Sequence, residues 1–190
     1  MRFIITRHGE TIGNLNNILQ GQLDGTLSEK GILQAKKLAE RFKNEKIDVI
    51  YSSNLKRAVD TAKEILKFHP ELKLNLDKRV CERYWGECQG KPYPEGWDFI
   101  TPLPGCETDK EFFLRAKDFI KEIYSKHKDE VVLVVCHMAI KTVLLCTIFG
   151  KSSYDLNIAN KLTNTSVSIV DIEEDNKHKV HVIGCTKHLE

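Results

Sequence analysis

Arg7, His8 and Gly9 end an apolar run, FIIT, near the amino terminus, and they are residue types that a phosphoryl group requires. A planar guanidinium donates two parallel hydrogen bonds to phosphate oxygens, while an imidazole either donates a bond or attacks phosphorus. Gly9 has no Cβ and lets backbone come close to an anion. Arg57, in YSSNLKRAVDTA, and His137, in VVLVVCHMAIKTVL, also follow apolar runs. Between His8 and Ser28, the segment GETIGNLNNILQGQLDG adds Asn14 and Gln20, neutral donors for further oxygens, with Gly21 beside them in the binding set. A leaving alkoxide must take up a proton. Glu82, next to Arg83 in an irregular stretch, is the candidate acid. Taken singly, these residues have plainer explanations: a surface turn, a core histidine, an exposed helix arginine, a solvated carboxylate. Only their combination points to chemistry.

That combination needs a scaffold to bring it together. FIIT, IDVIYSS and VVLVV read as strands covered on both faces, with helix-period segments between them, so the chain is expected to form an α/β fold with a mainly parallel sheet. Ligands of such sheets sit outside the carboxyl ends of the strands, which nominates the residues after all three runs at once. The apolar stripe from Ile32 to Phe42 predicts a helix over residues 28 to 43 capped by Ser28, and a second helix spans residues 54 to 68 before Pro70. Thr108 and Glu111 are spaced as a capping box ahead of a long amphipathic helix. Residues 83 to 107 hold four of the five prolines together with Tyr84, Trp85, Tyr93 and Trp97, and read as a loop over something. The aromatic residues could stack on a sugar or base, or pack the loop to the body. TSVSIVDIEEDNKHKVHVIGC reads as a terminal hairpin turning at EEDNK, and the tail from Cys185 to Glu190 could close over the site or fray.

At 190 residues, the chain is expected to form a single domain, residues 1 to 190, with a core large enough to need no disulfide or metal. Its 29 lysines and arginines nearly balance 27 aspartates and glutamates, and a formal charge of +2 gives no case for nucleic acid or a membrane surface. VVLVVCHMAIKTVLLCTIF is long enough to suggest a membrane helix, but His137 and Lys141 interrupt it, and strand, turn and helix explain it better. The six cysteines form no C-x-x-C pair and nothing resembles a secretory leader, so reduced thiols in a cytoplasmic protein are expected, as a monomer or homodimer. No metal site is expected: H-E-x-x-H is absent, and His178 with His181 falls in a terminal strand. Neither Cys81 nor Cys136 is followed by arginine at the spacing a cysteine phosphatase needs, and GECQGKP fails the P-loop spacing.

TRHGET with Asn14, then QGQLDGTLSEKG, YSSNLKRAVDTA, CERYWGECQG, LPGCET and VLVVCHMAIKTVL, in that order, resemble the histidine phosphatase superfamily, also called the phosphoglycerate-mutase-like family. The resemblance runs from Arg2 to about Asp171. It implies a three-layer α/β/α sandwich and a phosphatase acting on small phosphate esters with no cofactor. In that scheme His8 attacks phosphorus and becomes phosphohistidine. Arg7, Arg57 and His137 hold the phosphoryl oxygens, Asn14 and Gln20 assist, and Glu82 protonates the leaving group and then helps activate water. Two positions depart from the pattern: Met138 stands where glycine is usual after the second histidine, and Trp85 where phenylalanine is common. The Met138 backbone N–H can still bind phosphate, but its side chain must be housed beside the site. A mutase, which returns the phosphate to product, is the first alternative; mutases of the family typically carry an insertion after the acidic residue, and only about twenty residues separate Glu82 from Leu103, which favours hydrolysis. A non-catalytic phosphate-binding relative is the second, kept alive by Met138.

Overall fold

A computed structural model describes residues 1–98, 101–174 and 178–190. One six-stranded sheet organises the chain, from β1 (Arg2–Arg7), β2 (Val49–Ser52), β3 (Leu74–Leu76), β4 (Val131–Cys136), β5 (Val167–Asp171) and β6 (Lys179–Cys185). Their spatial order is β3-β2-β4-β1-β5-β6. The first four are mutually parallel, and β5 and β6 are added antiparallel at the β1 edge as the expected hairpin. Part of the turn expected at EEDNK, residues 175 to 177, lies outside the described residues.

Side chains alternate across the sheet, so each strand feeds two cores. Phe3, Ile5, Val132 and Val134 pack on one face under α4 (Asp109–Lys126) and α5 (Met138–Ile148). Ile4, Ile50, Leu133 and Val135 pack on the other under α2 (Glu29–Phe42) and α3 (Lys56–Leu66). This double coverage explains why the strands read as unbroken apolar runs, and it yields the α/β/α sandwich. Two short helices, α1 (Ile12–Leu15) and α6 (Leu156–Ala159), sit in the connections.

The local signals act as their chemistry dictates. Ser28 Oγ accepts the Gly31 N–H at 3.0 Å to start α2, and Thr108 and Glu111 form the reciprocal capping box of α4. The helices that leave β2 and β4, by contrast, carry no side-chain cap of their own. α3 starts at Lys56, whose N–H donates to Asp24 Oδ1 at 2.9 Å from the loop after β1. Gly9 has a different purpose from the one expected: a Cβ there would lie 2.4 Å from the Gly31 carbonyl oxygen, so it lets β1 and α2 approach, while its N–H donates to Thr61 Oγ1. No helix among the described residues is long and apolar enough to cross a membrane. The tail folds back onto α2, where Lys37 Nζ donates to the Leu189 carbonyl at 2.8 Å, so it does not cover the pocket that holds His8.

Candidate active site

Parallel register brings the three nominated strand ends level. Arg7 pairs with Cys136 and Ser52 with Val135; the His8 N–H then donates to the Cys136 carbonyl at 3.0 Å and the Ser53 N–H to the Val135 carbonyl at 3.1 Å. His8 and His137 thus meet with ring centroids 5.0 Å apart, both buried, although they are far apart in the chain. Arg57, in the first turn of α3 and 1% exposed, reaches between them. Its Nε donates to His137 Nδ1 at 3.1 Å and, more weakly, to His8 Nε2 at 3.3 Å, while its terminal nitrogens donate to the Leu23 and Gly21 carbonyls, each at 2.7 Å. Gly21 can present that carbonyl because it adopts φ +53, where a Cβ would strike Gln89.

These contacts fix the imidazole protons. His8 Nδ1 lies 2.7 Å from the Gly9 carbonyl, which can only accept, so Nδ1 carries the hydrogen and Nε2 keeps its lone pair. At His137 the assignment is reversed: Nδ1 accepts from Arg57, leaving Nε2–H to donate to Ser53 Oγ at 2.6 Å. Burial, reinforced by Arg57 and then by Arg7 at His8, holds both histidines well below the ordinary imidazole value of 6.5. Both rings are therefore neutral at pH 7. Because the folded chain resists protonation that the unfolded chain accepts, stability is complete above about pH 6.5 and declines as pH falls below it. An NMR titration of labelled imidazoles should show His8 and His137 still neutral at pH 6.5, whereas either ring titrating at its ordinary value would contradict this assignment.

One pocket gathers Arg7, His8, Asn14, Gln20, Gly21, Arg57, Glu82 and Met138; of the residues expected at the site, His137 does not line it but lies fully buried behind Arg57. Arg7 donates to the Leu162 carbonyl at 3.1 Å, and its Nε is buried with no hydrogen-bond partner among the described residues, a donor left over for an anion. Burial lowers both arginines, Arg57 to about 10, and both remain cations at neutral pH. Asn14 Oδ1 accepts the Thr11 N–H in the capping box of α1. Gln20 Nε2 donates to Thr11 Oγ1 at 2.9 Å while Oε1 is buried and unpaired, so donation to a phosphate oxygen requires the amide to turn over.

Glu82 occupies a position the sequence did not suggest. Its carboxylate accepts from the Arg83 N–H at 2.9 Å and from the Ala139 and Ile140 N–H groups, each at 3.3 Å, so it supplies the cap that α5 lacks. Two residues outside the expected set hold it there. Arg115 donates to the carbonyls of Arg79, Cys81 and Glu82 at 2.6, 2.8 and 3.1 Å, and it is itself paired with Glu107. The aromatic loop divides its work: Trp85 and Tyr93 line the pocket, Trp97 packs edge-on to Trp85, and Tyr84 is exposed. Hydrogen bonds from Leu19 to Lys91 and from Tyr93 to Asn17 join this loop to the one after β1, making the pocket rim. Among the described residues no group of three or more His, Cys, Asp or Glu is arranged to hold a metal ion.

The model of the histidine phosphatase superfamily (branch 1) matches residues 3–183. The chain belongs to that superfamily. This histidine phosphatase is a phosphoric monoester hydrolase by class. It is 36% identical to "Metal-independent phosphoserine phosphatase" of Arabidopsis thaliana, over 90% of its own length and 76% of that protein's. It is 32% identical to "Phosphoglycerate mutase-like protein 4" of the same plant, over 98% and 86% of the two chains. In structure it resembles YhfR of Bacillus stearothermophilus, with a TM-score of 0.86, 27% identity and coverage of 100% of this chain and 99% of the other.

Proposed function

We propose that this histidine phosphatase hydrolyses small-molecule phosphate monoesters without a metal ion, by way of a phosphohistidine at His8. The observation that carries this reading is the state of His8: buried, neutral, with Nδ1–H tied to the Gly9 carbonyl and Nε2 presenting a lone pair into a pocket flanked by two arginines. In the first step Nε2 forms a bond to phosphorus as the ester oxygen departs, and Glu82 gives that oxygen a proton. In the second, water attacks the phosphohistidine, Glu82 takes a proton from the water, and His8 is released with inorganic phosphate. Arg7 and Arg57 oppose the charge on the phosphoryl oxygens, where a metal ion serves in other phosphoryl-transfer enzymes. His137, whose Nε2–H is anchored on Ser53, accepts from Arg57 through Nδ1 and so keeps that guanidinium aligned beside His8. The Arabidopsis relative named as a metal-independent phosphoserine phosphatase agrees with this scheme.

Release of phosphate from an aryl phosphate should therefore persist unchanged in excess chelator. Activity that disappears with chelator and returns with magnesium would overturn the mechanism.

A further inference from the structure

Beside the pocket that holds His8 lies a second one, with a cavity volume of about 230 Å³. Arg7 and Met138 line both pockets, so the two are contiguous across the Met138 side chain. Tyr154, Leu156 and Leu162 give the second pocket an apolar wall, and its remaining polar members, Asn160 and Thr163, are uncharged. Among the described residues that line either pocket, Arg7 and Arg57 are the only cations.

The charge balance follows from this. A phosphate ester brings between about −1.5 and −2, which the two guanidiniums already match, and both histidines are neutral. A substrate carrying its own carboxylate would find no further cation in the lining to oppose that charge, only the uncharged Asn160 and Thr163. Met138 adds a polarizable thioether face where a glycine would have left open space, which suits contact with an apolar or aromatic group.

We propose that the alcohol half of the substrate is uncharged and largely apolar, and that it seats against Met138, Tyr154 and Leu156 rather than being an amino acid or hydroxy acid. This rests on the phosphatase reading above and narrows it. It also separates this chain from the relative named for phosphoserine.

The test compares kcat/KM, by phosphate release, for 2-phenylethyl phosphate, O-phosphoserine and 3-phosphoglycerate, all three esters of primary alcohols. A preference of about tenfold or more for the phenylethyl ester is expected. Equal or reversed preference overturns the proposal while leaving the phosphatase intact, whereas no phosphate from any ester overturns the phosphatase reading itself. Leu156→Arg adds the missing cation and should shift the ratio about tenfold toward phosphoserine. If that variant does not fold, Thr163→Lys makes the same test from another part of the lining. An unchanged ratio in the folded variant means that the alcohol half lies elsewhere.

Discussion

His8→Ala is expected to abolish the acid-labile phosphoenzyme and to lower kcat by about 10⁴- to 10⁶-fold, the scale seen when a covalent nucleophile is removed. The choice of His8 over His137 rests on which nitrogen is available. Both nitrogens of His137 are engaged, one by Arg57 at 3.1 Å and one by Ser53 at 2.6 Å. His8 is anchored through Nδ1 alone, and its Nε2 has only the longer 3.3 Å contact from Arg57, which an incoming phosphoryl group can replace. The variant should remain folded and bind phosphate, because Arg57 keeps its bonds to Leu23, Gly21 and His137. Incubation with labelled ester followed by alkaline quench and electrophoresis reads the result. A labelled protein band in His8→Ala would place the nucleophile elsewhere, with His137 the next candidate.

The sequence carried the strand ends clearly because buried parallel strands must be apolar on both faces, and FIIT, IDVIYSS and VVLVV each stop where a polar, chemically useful residue begins. Local caps were equally legible, since Ser28 and Thr108 act within three residues of themselves. What could not be read was reciprocity over long separations. Ser53 bonding His137, Asp24 capping α3 and Arg115 holding three carbonyls around Glu82 all join residues that no periodicity links. Ser53 had a signal, since it lies in the same YSSNLKR stretch as Arg57 and follows β2 directly. Arg115 had none, being one charged residue on an amphipathic helix. Gly9 shows a different failure: the absence of Cβ was read correctly as a close approach, but the approaching group is the backbone of α2.

Glu82 brings these threads together, because its carboxylate is both the expected acid and the cap of α5. Glu82→Gln keeps the size but loses the transferable proton, and its amide NH₂ cannot accept from a helix N–H, so the variant disturbs both roles. The leaving group tells the roles apart. With an alkyl phosphate, whose departing alkoxide needs a proton, kcat should fall by about 10²- to 10⁴-fold, the usual contribution of a general acid. With a nitrophenyl phosphate, whose phenolate leaves unaided, formation of phosphohistidine should be nearly unimpaired. The water step still needs Glu82 as base, so the second reaction becomes limiting: a burst of nitrophenolate equal to the enzyme concentration should precede slow turnover, with phosphoenzyme accumulating. Equal losses on both esters with no burst would mean that Glu82 only holds α5 in place, and the proton donor would have to be sought elsewhere on the pocket rim.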